Sequence, residues 1–60
     1  MENRVEQAIR RWLRADRALE VRYSDAVAVD SLHIGNSGNH HTLYLHPHHE
    51  ALVREIQAEQ

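Results

Sequence analysis

The first third of the chain repeats its apolar residues with the period of an α-helix. The apolar positions are Val5, Ala8, Ile9, Trp12, Leu13 and Leu19. They recur at steps of three and four residues, so they fall on one stripe of a helix. The arginines at positions 4, 10, 11, 14 and 17 take the opposite side. The pattern predicts an amphipathic helix over residues 3–18, in which Asp16 projects into the apolar stripe.

The middle of the chain alternates with the period of a β-strand. Residues 20–34 predict one strand or a bent pair of strands, with Ser24 and Asp25 as a turn or bulge. Glycine and asparagine dominate residues 35–39, and both tolerate the backbone of tight turns. Residues 41–46 then alternate again. The pattern therefore predicts a hairpin.

A second helix is expected after the hairpin. Pro47 suits the first turn of a helix, and Glu50 lies near its positive end. Leu52, Val53 and Ile56 form its apolar stripe, with His49 in line. The order of elements predicts an α+β fold, with residues 1–60 as one small domain. We expect a small antiparallel sheet of two to three strands, an N-terminal and a C-terminal helix on one of its faces, and a substantially buried Trp12 between the first helix and the sheet.

Composition narrows the class of protein. The chain has 60 residues, of which 42% are hydrophobic and 27% charged, and this balance is typical of a globular domain. It has no cysteine, which excludes disulfides and thiolate metal sites. No apolar run approaches the ~20 residues that cross a bilayer, and the charged start MENRVEQ does not resemble a secretory signal. We therefore expect a cytoplasmic protein without a membrane partner.

Charge is distributed unevenly along the chain. Residues 1–22 carry six arginines against four acidic residues, whereas residues 23–60 carry one arginine against five. The net charge of −2 is unlike that of most nucleic-acid-binding domains, so direct nucleic-acid binding is not expected. The arginine stripe of the first helix nevertheless leaves one alternative open, a small nucleic-acid-associated protein that contacts phosphates.

All histidines of the chain lie in one short segment. They are His33, His40, His41, His46, His48 and His49. Imidazole titrates near neutral pH and binds metals, which leaves open a metal-responsive or pH-responsive protein. A zinc site needs three or four converging ligands, and the chain has neither an HExxH motif nor a cysteine. We expect no bound metal and no cofactor.

Catalytic motifs are also missing from the sequence. Ser24, Ser31 and Ser37 are the only serines, and none lies in a nucleophile-elbow pattern. Gly35 and Gly38 belong to the predicted hairpin and not to a strand-to-helix phosphate loop. A domain of this size also has little room for an enclosed substrate pocket. We expect a protein that is not an enzyme.

One face of the predicted sheet carries residues typical of protein interfaces. By alternation it presents Val27, Val29, Ser31 and His33 beside Thr42, Tyr44 and His46. Aromatic residues are enriched and lysine is depleted at such interfaces. The alternative is that the first helix, or a second copy of the chain in a homodimer, covers the two valines.

The whole chain, from MENRV to IQAEQ, is similar in size and character to a group of small inhibitors. It lacks cysteine, lysine and any catalytic motif, and it combines an acidic second half with an exposed hairpin. In this it resembles the inhibitors that bacteriophages encode against host defence, notably anti-CRISPR proteins. The resemblance implies a protein in the host cytoplasm that occludes a larger host protein or ribonucleoprotein complex, in part through acidic mimicry of nucleic acid. The candidate partner-binding residues are Asp25, Asp30, His33, Tyr44, His46, Glu50, Glu55 and Glu59.

Overall fold

The computed structural model describes residues 4–60 and has the α+β architecture that the sequence predicts. In chain order its elements are helix α1 (Arg4–Ala15), strands β1 (Glu20–Tyr23), β2 (Leu32–Ser37) and β3 (His40–Leu45), a 3-10 turn (Pro47–His49) and helix α2 (Glu50–Ala58). Two helices and a small three-stranded sheet confirm the predicted fold class. The predicted helical residue Asn3 lies outside the described residues.

Helix α1 ends earlier than the apolar pattern predicts, because Asp16 closes it. The backbone amide of Asp16 donates to the carbonyl of Trp12 at 2.9 Å, and the Asp16 Oδ1 accepts from the amide of Ala18 at 3.0 Å. Aspartate favours such turns over continued helix because its short side chain bonds to nearby backbone. The turn brings Leu19 back into the core, where it is buried.

The sheet contains both parallel and antiparallel pairs of strands, so the prediction of a purely antiparallel sheet is wrong. Strands β2 and β3 form the predicted antiparallel hairpin, from Leu32 opposite Leu45 to Ser37 opposite His40. Strand β1, however, pairs in parallel with β3, so β3 is the central strand. The predicted bent strand over residues 20–34 is in fact two strands, because turns at 25–26 and 29–30 interrupt it. The intervening loop carries the chain from one edge of the sheet to the other.

The core joins the two helices to the central strand. Its buried cluster consists of Val5, Ile9, Leu13, Leu19, Leu43, Leu45, Val53 and Ile56. Leu43 and Leu45 have no exposed surface, and they alternate along β3 with residues that point the other way. Trp12 is partly buried and packs against this cluster, in agreement with the expectation of a substantially buried tryptophan. Its ring lies beside that of His41, with 5.9 Å between the ring centroids.

Candidate functional site

The face of the sheet that points away from Leu43 and Leu45 is exposed and carries the main candidate site. We call it the outer sheet face. Its residues are Glu20 and Arg22 from β1, His33, Gly35 and Ser37 from β2, and His40, Thr42 and Tyr44 from β3. Register places Arg22 and His33 on either side of Tyr44, so these three side chains form one row across the sheet.

Tyr44 is the aromatic centre of the outer sheet face, and it is 36% exposed. Its ring lies over Gly35: a Cβ atom built on that glycine would lie 3.0 Å from Cε2 of the tyrosine. A glycine in a strand allows this close approach because it has no side chain of its own. The ring is therefore held against the sheet and does not extend freely into solvent.

Charged residues border Tyr44 on the β1 side. The Arg22 guanidinium donates a hydrogen bond to the carboxylate of Glu20, and this bond is the main cause that raises the pKa of Arg22. Both side chains are more than half exposed. Sequence reasoning did not place Glu20 and Arg22 on this face, because alternation does not identify the partner strand of β1.

The structure brings together only part of the interface predicted from the alternation. His33, Thr42 and Tyr44 share the outer sheet face. Val27, Val29 and Ser31 lie in the loop over residues 24–31 instead; Val27 is buried, whereas Val29 is 47% exposed. His46 follows β3 and begins the 3-10 turn, where its Nδ1 accepts a hydrogen bond from the amide of His48 at 3.0 Å.

The acidic candidates lie on two elements, and arginines neutralise two of them. Asp25 and Asp30 are exposed in the turns of the loop over residues 24–31. On α2, Glu50 forms an ion pair with Arg54 at 3.0 Å, and Glu55 is exposed. Glu59, just after α2, forms an ion pair with Arg10 at 2.7 Å. This pairing weakens the acidic surface that nucleic-acid mimicry would require.

The histidines do not converge on one site, although the rings of His48 and His49 are in edge-to-face contact with 5.3 Å between their centroids. His33 and His40 are exposed on the outer sheet face. On the opposite face, the Nδ1 of His41 lies 3.3 Å from the Oδ2 of Asp16, and His49 is buried near the start of α2. Within residues 4–60, no three His, Asp or Glu side chains are grouped so that they could hold a metal ion.

A second candidate surface is formed by arginines of α1 and the turn that follows it. Arg10, Arg14 and Arg17 line a depression of about 270 Å³ together with Ile56, Glu59 and Gln60. Gln7, Arg10, Arg11, Arg14 and Ala15 line a neighbouring depression of about 380 Å³. Arg10 and Arg14 border both depressions. We call Arg10, Arg11, Arg14 and Arg17 together the arginine surface.

Comparison with known proteins identifies no relative of this chain. No family model, no curated protein and no solved structure matches the chain. Over residues 4–60, neither helix is both long enough and apolar enough to cross a membrane.

Proposed function

We propose that this chain is a non-enzymatic binding protein whose outer sheet face contacts a larger partner protein. The observation that carries the proposal is the position of Tyr44, held over Gly35 on the central strand between Arg22 and His33. Tyrosine and arginine supply a large share of binding energy at protein interfaces. Because the sheet already holds the ring in place, binding would order few additional side-chain torsions.

The surface depressions also support a binding role over catalysis. The two that we describe are lined by arginine, glutamine, alanine, isoleucine and Glu59, and neither includes a serine, threonine or histidine. A nucleophile with an adjacent base is the usual requirement for covalent catalysis. Occlusion of a host protein or ribonucleoprotein complex, which the resemblance to phage-encoded inhibitors implies, is the mode of action that we propose for this contact.

Photo-crosslinking tests which surface meets the partner. A photo-crosslinking residue incorporated at His33 samples the outer sheet face, and one at Gln57 samples the exposed side of α2 as a control. We expect a crosslinked partner from position 33 only. Crosslinking of equal strength from both positions, or none from position 33, would overturn the proposal. A crosslink solely to a second copy of the chain would replace it with a homodimer.

Three substitutions then test Tyr44 as the anchor. Tyr44→Ala should abolish the crosslink from position 33, because it removes the ring. Gly35→Ala should weaken it, because the new Cβ would lie 3.0 Å from the tyrosine ring and displace it. Tyr44→Phe keeps the ring and should keep most of the crosslink. Loss with Tyr44→Phe equal to that with Tyr44→Ala would mean that the hydroxyl, and not the ring, makes the contact.

A further inference from the structure

The arginine surface carries positive charge that the rest of the described chain does not neutralise. Arg11, Arg14 and Arg17 are exposed, and within residues 4–60 none of them forms an ion pair with a carboxylate. By contrast, Arg22 and Arg54 are each paired with a glutamate of their own element. The net charge of −2 therefore conceals a local positive surface.

Arg10 shows that one depression of this surface accepts an anionic oxygen. Its Nη1 donates to the Oε2 of Glu59 at 2.7 Å, and its Nε lies 3.3 Å from the Oε2 of Glu6. These two carboxylates are the main cause that raises the pKa of Arg10. The side chain of Glu59 is 57% exposed, so an oxyanion from solution can compete with it for the guanidinium.

We propose that the arginine surface binds consecutive phosphates of a nucleic-acid backbone. The two adjoining depressions share Arg10 and Arg14. Two neighbouring sites of this kind suit a polyanion with several phosphates better than a single isolated anion. Arg10 and Arg14 are four residues apart in α1, about 6 Å along the helix axis, so they lie on the same side of the helix and can contact neighbouring phosphates. Guanidinium groups also match phosphate oxygens in planar, two-pronged hydrogen bonds.

This inference is independent of the proposed contact through the outer sheet face, because it uses none of the same residues. It also runs against the expectation from total charge. That expectation weighs every carboxylate equally, whereas Glu20 and Glu50 are paired with arginines outside the arginine surface. Asp25 and Asp30 are exposed in the loop over residues 24–31, which borders neither depression.

Fluorescence anisotropy with a labelled oligonucleotide of about twelve nucleotides, single-stranded and duplex, tests the proposal at low and moderate salt. We expect saturable binding that weakens as salt rises. The double substitution of Arg14→Gln with Arg17→Gln should weaken it at least tenfold. It should also flatten the dependence of log K on log salt by about 0.7 per arginine for single strands. Arg54→Gln removes a single arginine charge on α2 and should change affinity less than twofold.

A second pair of substitutions tests the role of Glu59. They remove a negative charge, whereas the arginine substitutions remove a positive one. Glu59→Gln should strengthen oligonucleotide binding severalfold, because it releases Arg10. Glu55→Gln makes the same change at a glutamate that forms no ion pair within residues 4–60, and it should have a smaller effect. Circular dichroism of each variant checks that the fold is retained.

Three results would overturn the proposal. The first is the absence of saturable oligonucleotide binding at low salt. The second is an effect of Arg54→Gln on log K equal, per charge removed, to that of the double substitution at positions 14 and 17, which would indicate unspecific attraction. The third is tight binding of inorganic pyrophosphate without any binding of oligonucleotide, which would make the surface a site for small diphosphates.

Discussion

The imidazole of His49 is joined to the backbone carbonyl of Val29 by a hydrogen bond of 2.6 Å. A carbonyl only accepts, so the Nε2 atom of His49 carries the hydrogen and donates it. His49 is the buried polar residue of the described chain and immediately precedes α2, whereas Val29 lies in the loop that connects β1 to β2. The loop over residues 24–31 crosses from one edge of the sheet to the other. The bond therefore attaches this loop to the start of α2.

Replacement of His49 by alanine should lower the free energy of unfolding by about 2–3 kcal/mol. It leaves a cavity and removes the donor that satisfies the Val29 carbonyl. Urea denaturation measures the change, and amide hydrogen exchange of residues 24–31 should show the loop opening more often. His40→Ala is the control: His40 is exposed on the outer sheet face, so its replacement should cost no more than about 0.5 kcal/mol. Equal costs at the two positions would contradict the structural role of the bond.

Tyr23 should make the protein less stable in alkaline solution. Burial raises the pKa of its phenol above the ordinary value, and the nearby Glu50 carboxylate raises it further, although Arg54 partly offsets this. The neutral phenol is thus favoured in the folded state. Its stabilisation is present below the unfolded pKa of about 10 and is lost as pH rises through the folded pKa.

Two measurements check the alkaline prediction. In a Tyr44→Phe variant, the phenolate absorbance of the remaining Tyr23 should rise with a midpoint above pH 10. In a Tyr23→Phe variant, the urea midpoint should fall less between pH 9 and pH 11 than in the parent protein. An identical fall in the two proteins would show that another group causes the alkaline loss.

Gly38 should tolerate asparagine better than alanine. It begins the two-residue turn between β2 and β3 with a φ of 61°, a left-handed conformation that side chains with a Cβ disfavour. Gly38→Ala should cost about 1–2 kcal/mol of stability. Gly38→Asn should cost less, because asparagine adopts this conformation more readily. Thermal unfolding of the two variants tests this prediction. Equal falls in melting temperature would contradict the left-handed conformation of Gly38.

Trp12→Ala should destabilise the protein by about 2–3 kcal/mol. A fully buried tryptophan would cost about 3–5 kcal/mol, and the cost is lower here because Trp12 is partly and not completely buried. Acrylamide should quench the native fluorescence of Trp12 to an intermediate extent, between a free indole and a core tryptophan. Complete protection from acrylamide would show that the side chain is more deeply buried than the structure indicates.

Charge reversal on α2 separates the aromatic contact from acidic mimicry. Glu55→Lys should leave the crosslink from position 33 nearly unchanged if Tyr44 is the anchor, because an exposed charge chiefly affects the rate of encounter. If the acidic residues lead the interaction, the same substitution should weaken partner capture strongly, and the loss should grow as salt is lowered. Capture at two salt concentrations distinguishes these outcomes.

The pattern of apolar and turn residues predicted the helix and the hairpin, whose hydrogen bonds join residues near each other in the chain. The spacing of Val5, Ile9 and Leu13 predicted α1, and the turn residues around Gly38 predicted the hairpin of β2 and β3. Both patterns express contacts between residues near each other in the chain. The common parity of Thr42 and Tyr44 likewise placed them on one face of β3, because side chains alternate along any strand.

Only the tertiary structure decided which distant segments meet. The parallel pairing of β1 with β3 depends on the path of the loop over residues 24–31, and this pairing brings Arg22 beside Tyr44. The ion pair between Arg10 and Glu59 joins residues 49 positions apart, so a sum of charges could not show which arginines stay unpaired. The periodicity of a sequence specifies which way side chains face within an element. Contacts between elements depend on how the chain closes its loops around a shared core, and that is a property of the whole fold.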